Sequence, residues 1–132
     1  MNFKNSQLLF NVFMIAMLSF VSSQSTPCFS AGEGGTVSVT CSGGLIITAI
    51  HFASYGTPTG SCGTYATSSC HATSSSSVVS TACINKASCS IVANNGVFSD
   101  PCIGTSKHLD VQVTCGVGNT LLQIMPPPST LQ

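Results

Sequence analysis

The segment Leu109-Asp110-Val111-Gln112-Val113-Thr114-Cys115 alternates apolar and polar residues without a break. Side chains along a β-strand point to opposite faces in turn, so this segment predicts a strand with one face in a core. In such a strand Asp110 is expected on the face toward solvent. This is the clearest strand signal in the chain, and it ends at the last of eight cysteines.

Weaker patterns predict the other elements. The alternation at residues 36–40 predicts a second half-buried strand, and the β-branched, apolar run at residues 45–52 predicts a more deeply buried one. Residues 90–93 predict a short strand, and residues 77–82 predict a short helix. Glycine and proline predict loops at residues 55–60, while Asn94-Asn95-Gly96 predicts a turn and residues 61–77 are small, polar and loop-like.

The cysteines predict a disulfide framework. An even number of cysteines in a small exported chain is typical of disulfides, which stabilise a domain with few large apolar residues. A thiolate zinc site is the alternative, but such sites favour cysteines two to four residues apart, and the nearest pair here is Cys83 and Cys89. Spacing alone leaves the pairing open.

The N-terminus predicts export. Lys4 precedes an apolar run at residues 8–20, and Val21-Ser22-Ser23 supplies small residues before a cleavage point at Gln24. A membrane anchor is the alternative, but a span needs about 20 apolar residues and this run is shorter. We therefore expect a signal peptide at residues 1–23, one secreted extracellular domain at 24–115 without membrane insertion, and a flexible, proline-containing tail at 116–132.

The composition argues against several functions. Charged residues make up 5% of the chain and the net charge is zero, which leaves no basic surface for nucleic acid. After residue 23 only three carboxylates remain, Glu33, Asp100 and Asp110, with no spacing that pairs two of them as a glycosidase requires. The chain lacks a Gly-x-Ser-x-Gly motif, and its histidines are scattered. We predict no catalytic residues, no metal and no cofactor, and hence no enzyme.

Sugar binding fits the remaining charges better. Sugar recognition needs a few fixed polar groups on a rigid scaffold, and Asp100 and Lys107 lie on either side of Cys102. The alternative is an ordinary surface ion pair, which contributes about 0–1 kcal/mol. Composition alone does not separate these two interpretations.

Three motifs, in order, resemble the sea-urchin-egg-lectin (SUEL) type domain, the galactose- or rhamnose-binding lectin domain. They are Ala53-Ser54-Tyr55-Gly56, Asp100-Pro101-Cys102 and Gly104-Thr105-Ser106-Lys107-His108-Leu109. The similarity runs from Cys41 to Cys115, and the order of all eight cysteines fits. Residues 52–58 and 60–63 look especially like the copies appended to plant β-galactosidases.

The resemblance implies a fold and a site. The fold is an α+β, β-rich module of antiparallel strands with one or two short helices and long structured loops. The implied disulfides are Cys28–Cys62, Cys41–Cys115, Cys70–Cys102 and Cys83–Cys89. The implied sugar-binding residues are His51, Tyr55, Asp100, Gly104, Thr105 and Lys107, where His51 stands at the position that we assign to the family's acidic residue.

Two functions follow as hypotheses. The first is a lectin-like module whose partners are glycans or polysaccharides bearing galactose or rhamnose. The second is a protein-interaction module on the same scaffold, suggested by His51 and Thr57 where the family carries an acidic residue and an arginine. The sequence fixes neither the sugar nor the oligomeric state.

Overall fold

The computed structural model describes residues 6–7 and 24–118. Within residues 24–118, five strands and two helices follow one another: β1 (Cys28–Gly32), β2 (Thr36–Thr40), β3 (Ile46–Gly56), α1 (Ser75–Cys83), β4 (Ser88–Val92), α2 (Asn95–Phe98) and β5 (His108–Gly116). This β-rich arrangement confirms the predicted fold class. The predicted signal peptide lies outside the described residues except for residues 6 and 7, and the predicted tail does so from residue 119 onward.

Strand β5 is the centre of the fold. It pairs with β1 on one side and β3 on the other, both antiparallel, while β2 and β4 form a separate antiparallel pair. Leu109, Val111 and Val113 of β5 are completely buried on one face. They pack in the core with residues of β2, β4 and α1, among them Val39 and Val79. The alternating pattern therefore identified the central strand.

The second face of β5 is covered as well, which corrects the expectation for Asp110. This residue is only 6% exposed, and it accepts a hydrogen bond from the Ser30 hydroxyl. The long loop after β3 covers this face, since the Tyr65 ring stacks on Phe52 with centroids 5.2 Å apart and His71 Nδ1 lies 2.8 Å from the buried Ser54 hydroxyl. A strand pattern cannot reveal a covering loop that has no regular structure of its own.

Four disulfides close the domain, and they are the pairs that the resemblance implies. They join Cys28 to Cys62, Cys41 to Cys115, Cys70 to Cys102 and Cys83 to Cys89, with Cα–Cα distances of 5.2–5.7 Å. Such distances are normal for disulfides. Two of the bridges hold the long loop at Cys62 and Cys70, which explains how a chain of small polar residues keeps one conformation there.

Several element boundaries differ from the predictions. Strand β1 was not predicted, because Cys28–Gly32 shows no alternation and becomes a strand through its pairing with β5. Strand β3 continues through Gly56, where a loop was predicted, because its end still pairs with β5 as far as His108. The predicted turn at residues 94–96 is the start of α2, whose N-cap Asn94 accepts a hydrogen bond from the Val97 amide.

Helix α1 extends the predicted helix at both ends. Val79 and Cys83 are completely buried, four residues apart on one face, and they fix the helix against the core. Among residues 6–7 and 24–118, no helix combines the length and the apolar character that crossing a membrane requires.

Candidate functional site

A buried lysine lies at the centre of the site. The side chain of Lys107, just before β5, is 2% exposed. Its ammonium lies 3.4 Å from Glu33 Oε1 and 3.1 Å from Asp100 Oδ1, and it donates a 2.8 Å hydrogen bond to the Thr105 carbonyl. A lysine ammonium has three N–H donors, and three protein oxygens lie within 3.4 Å of it.

Glu33 reaches the lysine from a tight turn between β1 and β2. The turn is closed by a hydrogen bond from the Gly35 amide to the Gly32 carbonyl, and Gly34 takes a φ of 86°, which glycine adopts readily. Glu33 Oε2 also accepts a 3.0 Å hydrogen bond from the backbone amide of Lys107, while the Glu33 amide donates to the Lys107 carbonyl. Three contacts to one residue hold this carboxylate in place.

Asp100 is the second carboxylate beside the ammonium. Its Oδ1 also accepts a hydrogen bond from the Cys102 amide at 3.2 Å, and the Cys70–Cys102 disulfide anchors the loop that follows. The preceding residue, Ser99, has φ 64° and ψ −177°, a conformation that is nearly restricted to glycine. About 30% of each carboxylate side chain stays exposed, Asp100 at 30% and Glu33 at 31%.

Tyr55, which was predicted to shape the wall of the site, lies in the hydrophobic core. Its ring is completely buried and stacks on Phe98, with centroids 5.0 Å apart and planes 21° from parallel. The phenol donates a 2.8 Å hydrogen bond to Asn95 Oδ1 at the start of α2. Tyr55 thereby links the end of β3 to the segment that leads to Asp100.

The titration behaviour follows from these contacts. The amide N–H of Lys107, followed by its ammonium, lowers the pKa of Glu33. Burial by itself would lower the pKa of Lys107. Hydrogen bonds to Asp100 and Glu33 and the attraction of their charges outweigh this effect, so the pKa of Lys107 is raised. Burial, reinforced by the charge of Glu33, raises the pKa of Tyr55. At neutral pH Glu33 is therefore a carboxylate, Lys107 an ammonium and Tyr55 a neutral phenol. The formal charges of Glu33, Asp100 and Lys107 sum to −1.

Gly104 and Thr105 lie in an exposed turn beside the ammonium. The Thr105 amide donates to the Cys102 carbonyl at 3.2 Å, and Gly104 takes the positive φ of 79° that this turn needs. Thus Tyr55, Asp100, Thr105 and Lys107 come together, with Gly104 shaping the turn next to them.

His51, the sixth predicted site residue, does not join this cluster. It lies on β3 four residues before Tyr55, which at about 3.3 Å per residue is about 13 Å along the strand. A register shift between Ile50 and Phe52 leaves His51 without a partner on β5, and its side chain is exposed. The acidic side chain that does lie beside the ammonium, together with Asp100, is Glu33.

Sequence reasoning missed Glu33 and Asn95. Glu33 was considered only as half of a glycosidase pair, although Gly32-Glu33-Gly34-Gly35 is a turn signal that displays a single carboxylate. Asn95 was read as part of a turn, whereas its amide oxygen accepts the hydrogen bond from Tyr55.

A comparison with protein families identifies the domain that carries Lys107 and Asp100. The model of the D-galactoside/L-rhamnose binding SUEL lectin domain matches residues 39–115, more than half of the chain. The chain belongs to this family. The match confirms the resemblance drawn from the three motifs, and it places Tyr55, Asp100 and Lys107 inside the SUEL domain.

Relatives of this SUEL domain include plant enzymes. It is 44% identical over 90 residues to beta-galactosidase 7 of Oryza sativa subsp. japonica, covering 67% of this chain and 12% of that protein. It is 37% identical over 98 residues to beta-galactosidase 6 of the same plant, covering 74% of this chain and 11% of the relative. It is 42% identical over 85 residues to beta-galactosidase 13 of Arabidopsis thaliana, covering 61% of this chain and 10% of that protein. The alignment thus spans only about a tenth of each relative's length.

Proposed function

We propose that this SUEL domain is a secreted lectin module that binds one terminal galactose- or rhamnose-type sugar at the Glu33–Lys107–Asp100 cluster. The observation that carries the proposal is the buried ammonium of Lys107 between two carboxylates that stay about a third exposed. Of the predicted residues, Asp100, Gly104, Thr105 and Lys107 are retained, and Tyr55, whose ring is completely buried, supports the cluster from the core. Glu33 takes the place of His51.

The different roles of the lysine and the two carboxylates support the binding of sugar hydroxyls. The ammonium is buried among three protein oxygens, so its role is to hold the carboxylates and to neutralise part of their charge. Within residues 24–118, Asp100 hydrogen-bonds through Oδ1 alone, which leaves Oδ2 for a ligand. Sugar hydroxyls are good donors to such oxygens, and a net charge of −1 favours neutral donors over anions.

The same arrangement argues for binding rather than catalysis. A glycosidase needs one carboxylic acid that stays protonated near neutral pH, which requires a raised pKa. Here the contacts to Lys107 lower the pKa of Glu33. The beta-galactosidases named above are about ten times longer than the aligned segment, so their activity is not carried over to this chain.

The test is retention of the oxidised protein on immobilised galactose and immobilised rhamnose, with elution by the free sugar. Glu33→Gln keeps the shape of the side chain but removes the charge, so we expect at least about tenfold weaker binding. His51→Ala is the matched control, since its side chain lies on the same domain outside the cluster and should leave retention unchanged.

Two results would contradict the proposal. One is retention that survives Glu33→Gln and Asp100→Ala alike. The other is no retention of a parent protein whose eight cysteines are all paired, which would favour the protein-interaction alternative.

A further inference from the structure

Ile103 is an unusually exposed apolar residue. Its side chain is 89% exposed, whereas the other exposed large hydrophobic residues between 24 and 118 reach only 41–44%. It occupies the corner of the turn from Cys102 to Thr105. A corner position suits polar residues equally well, so turn geometry gives no reason for isoleucine.

Both ends of this turn are attached to the sugar site. At its start, the Cys102 amide donates to Asp100 Oδ1, the oxygen that faces the ammonium of Lys107. At its end, the Thr105 carbonyl accepts a hydrogen bond from that same ammonium. The Cys70–Cys102 disulfide fixes the turn to the rest of the domain. The turn that carries Ile103 is therefore attached to the site at both ends.

A second turn in the domain provides an internal comparison. The turn from Cys83 to Lys86 also follows a disulfide cysteine with isoleucine, and its third residue, Asn85, has a positive φ of 65°. There Ile84 packs against the hydrophobic core. The same residue at the same turn position is thus explained by packing in one turn, while Ile103 has almost no packing partner.

We propose that Ile103 forms an apolar subsite for the aglycone, the group joined to the anomeric carbon of the bound sugar. This inference rests on the proposed sugar site. A terminal sugar connects to the rest of its glycoside through that carbon, and an aryl or alkyl group there meets the rim of the site. Val97, 42% exposed, lies on α2, the helix whose Asn95 accepts the hydrogen bond from Tyr55.

The experiment compares methyl and phenyl glycosides of galactose and of rhamnose by titration calorimetry. Covering roughly 40 Å² of Ile103 corresponds to about fivefold tighter binding of the phenyl glycoside. In Ile103→Ser the phenyl and methyl glycosides should bind with about equal affinity, and the affinity for the methyl glycoside should be the same as in the parent protein. Val117→Ser, which changes an exposed valine beyond the far end of β5, should keep the preference.

The outcomes separate the inference from the proposed function. Equal affinities for phenyl and methyl glycosides in the parent, or a preference that persists in Ile103→Ser, would overturn the subsite and leave the sugar site standing. If the parent binds neither methyl glycoside, the proposed function fails and the subsite fails with it.

Discussion

Removing the Cys41–Cys115 disulfide should destabilise the domain about twice as much as removing the Cys83–Cys89 disulfide. The two bridges close loops of very different length, with sequence separations of 74 and 6. If a disulfide acts by restricting the unfolded chain, the longer loop corresponds to about 4.4 kcal/mol and the shorter one to about 2.2 kcal/mol at 25 °C. We therefore expect a difference of about 2 kcal/mol in the free energy of unfolding.

The assay is urea unfolding of the two double variants, Cys41→Ala with Cys115→Ala and Cys83→Ala with Cys89→Ala. The two pairs make a fair comparison, since three of the four cysteines are buried and the fourth, Cys89, is partly buried against the core. A difference of 2 kcal/mol corresponds to about 8–16 °C in melting temperature. Equal losses, or a larger loss for the short loop, would refute the reasoning from loop length.

Three further predictions concern single residues. Contacts with Lys107 lower the pKa of Glu33 below its ordinary value of 4.5, so the contribution of Glu33 to the free energy of unfolding is complete above pH 4.5 and is lost as the pH falls through the lowered pKa. In melting experiments at a series of pH values, this contribution should be absent from Glu33→Gln. Gly56→Ala should cost at least about 2 kcal/mol in chemical unfolding because its Cβ would overlap a backbone carbonyl, whereas Gly32→Ala, which meets open space, should be nearly neutral. Tyr55→Phe should lower the free energy of unfolding by about 1 kcal/mol through loss of its hydrogen bond, and unchanged stability would contradict that role.

Sequence patterns correctly predicted the strands whose buried residues alternate along the chain. The alternation at residues 36–40 and 109–115 identified β2 and β5, because the buried valines recur with the period of a strand. The same reasoning failed for β1, whose residues carry no alternation and depend on pairing with β5. It also failed for the polar face of β5, since the loop that buries Asp110 has no periodic signal.

The site was predictable only where its residues are close in the chain. Asp100, Thr105 and Lys107 lie within eight positions of one another and were identified from motifs. Glu33 is 74 positions from Lys107 and reaches it only because β1 pairs with β5. His51 was assigned to the acidic role by its place before a motif, but a register shift in β3 and the length of that strand keep it away from the ammonium.

Most of the formal charges between residues 24 and 118 lie at this site. Of the five formal charges between residues 24 and 118, three belong to the cluster. A fourth is Asp110, whose Oδ2 lies 3.3 Å from His108 Nε2. Lys86 is the remaining charge. Since charge is concentrated where hydroxyls are expected to bind, solubility has to come from serine, threonine and amide groups elsewhere.

The most direct test of the central claim is a titration of ¹⁵N-labelled protein with free galactose or rhamnose, followed by amide chemical shifts. Two amides report on the two carboxylates, since Lys107 N–H donates to Glu33 Oε2 and Cys102 N–H donates to Asp100 Oδ1. We predict that both shift together with one saturable curve, while the amide of His51 does not move. Shifts centred on His51, or no saturable shift with either sugar, would contradict the assignment of the sugar site to Glu33, Asp100 and Lys107.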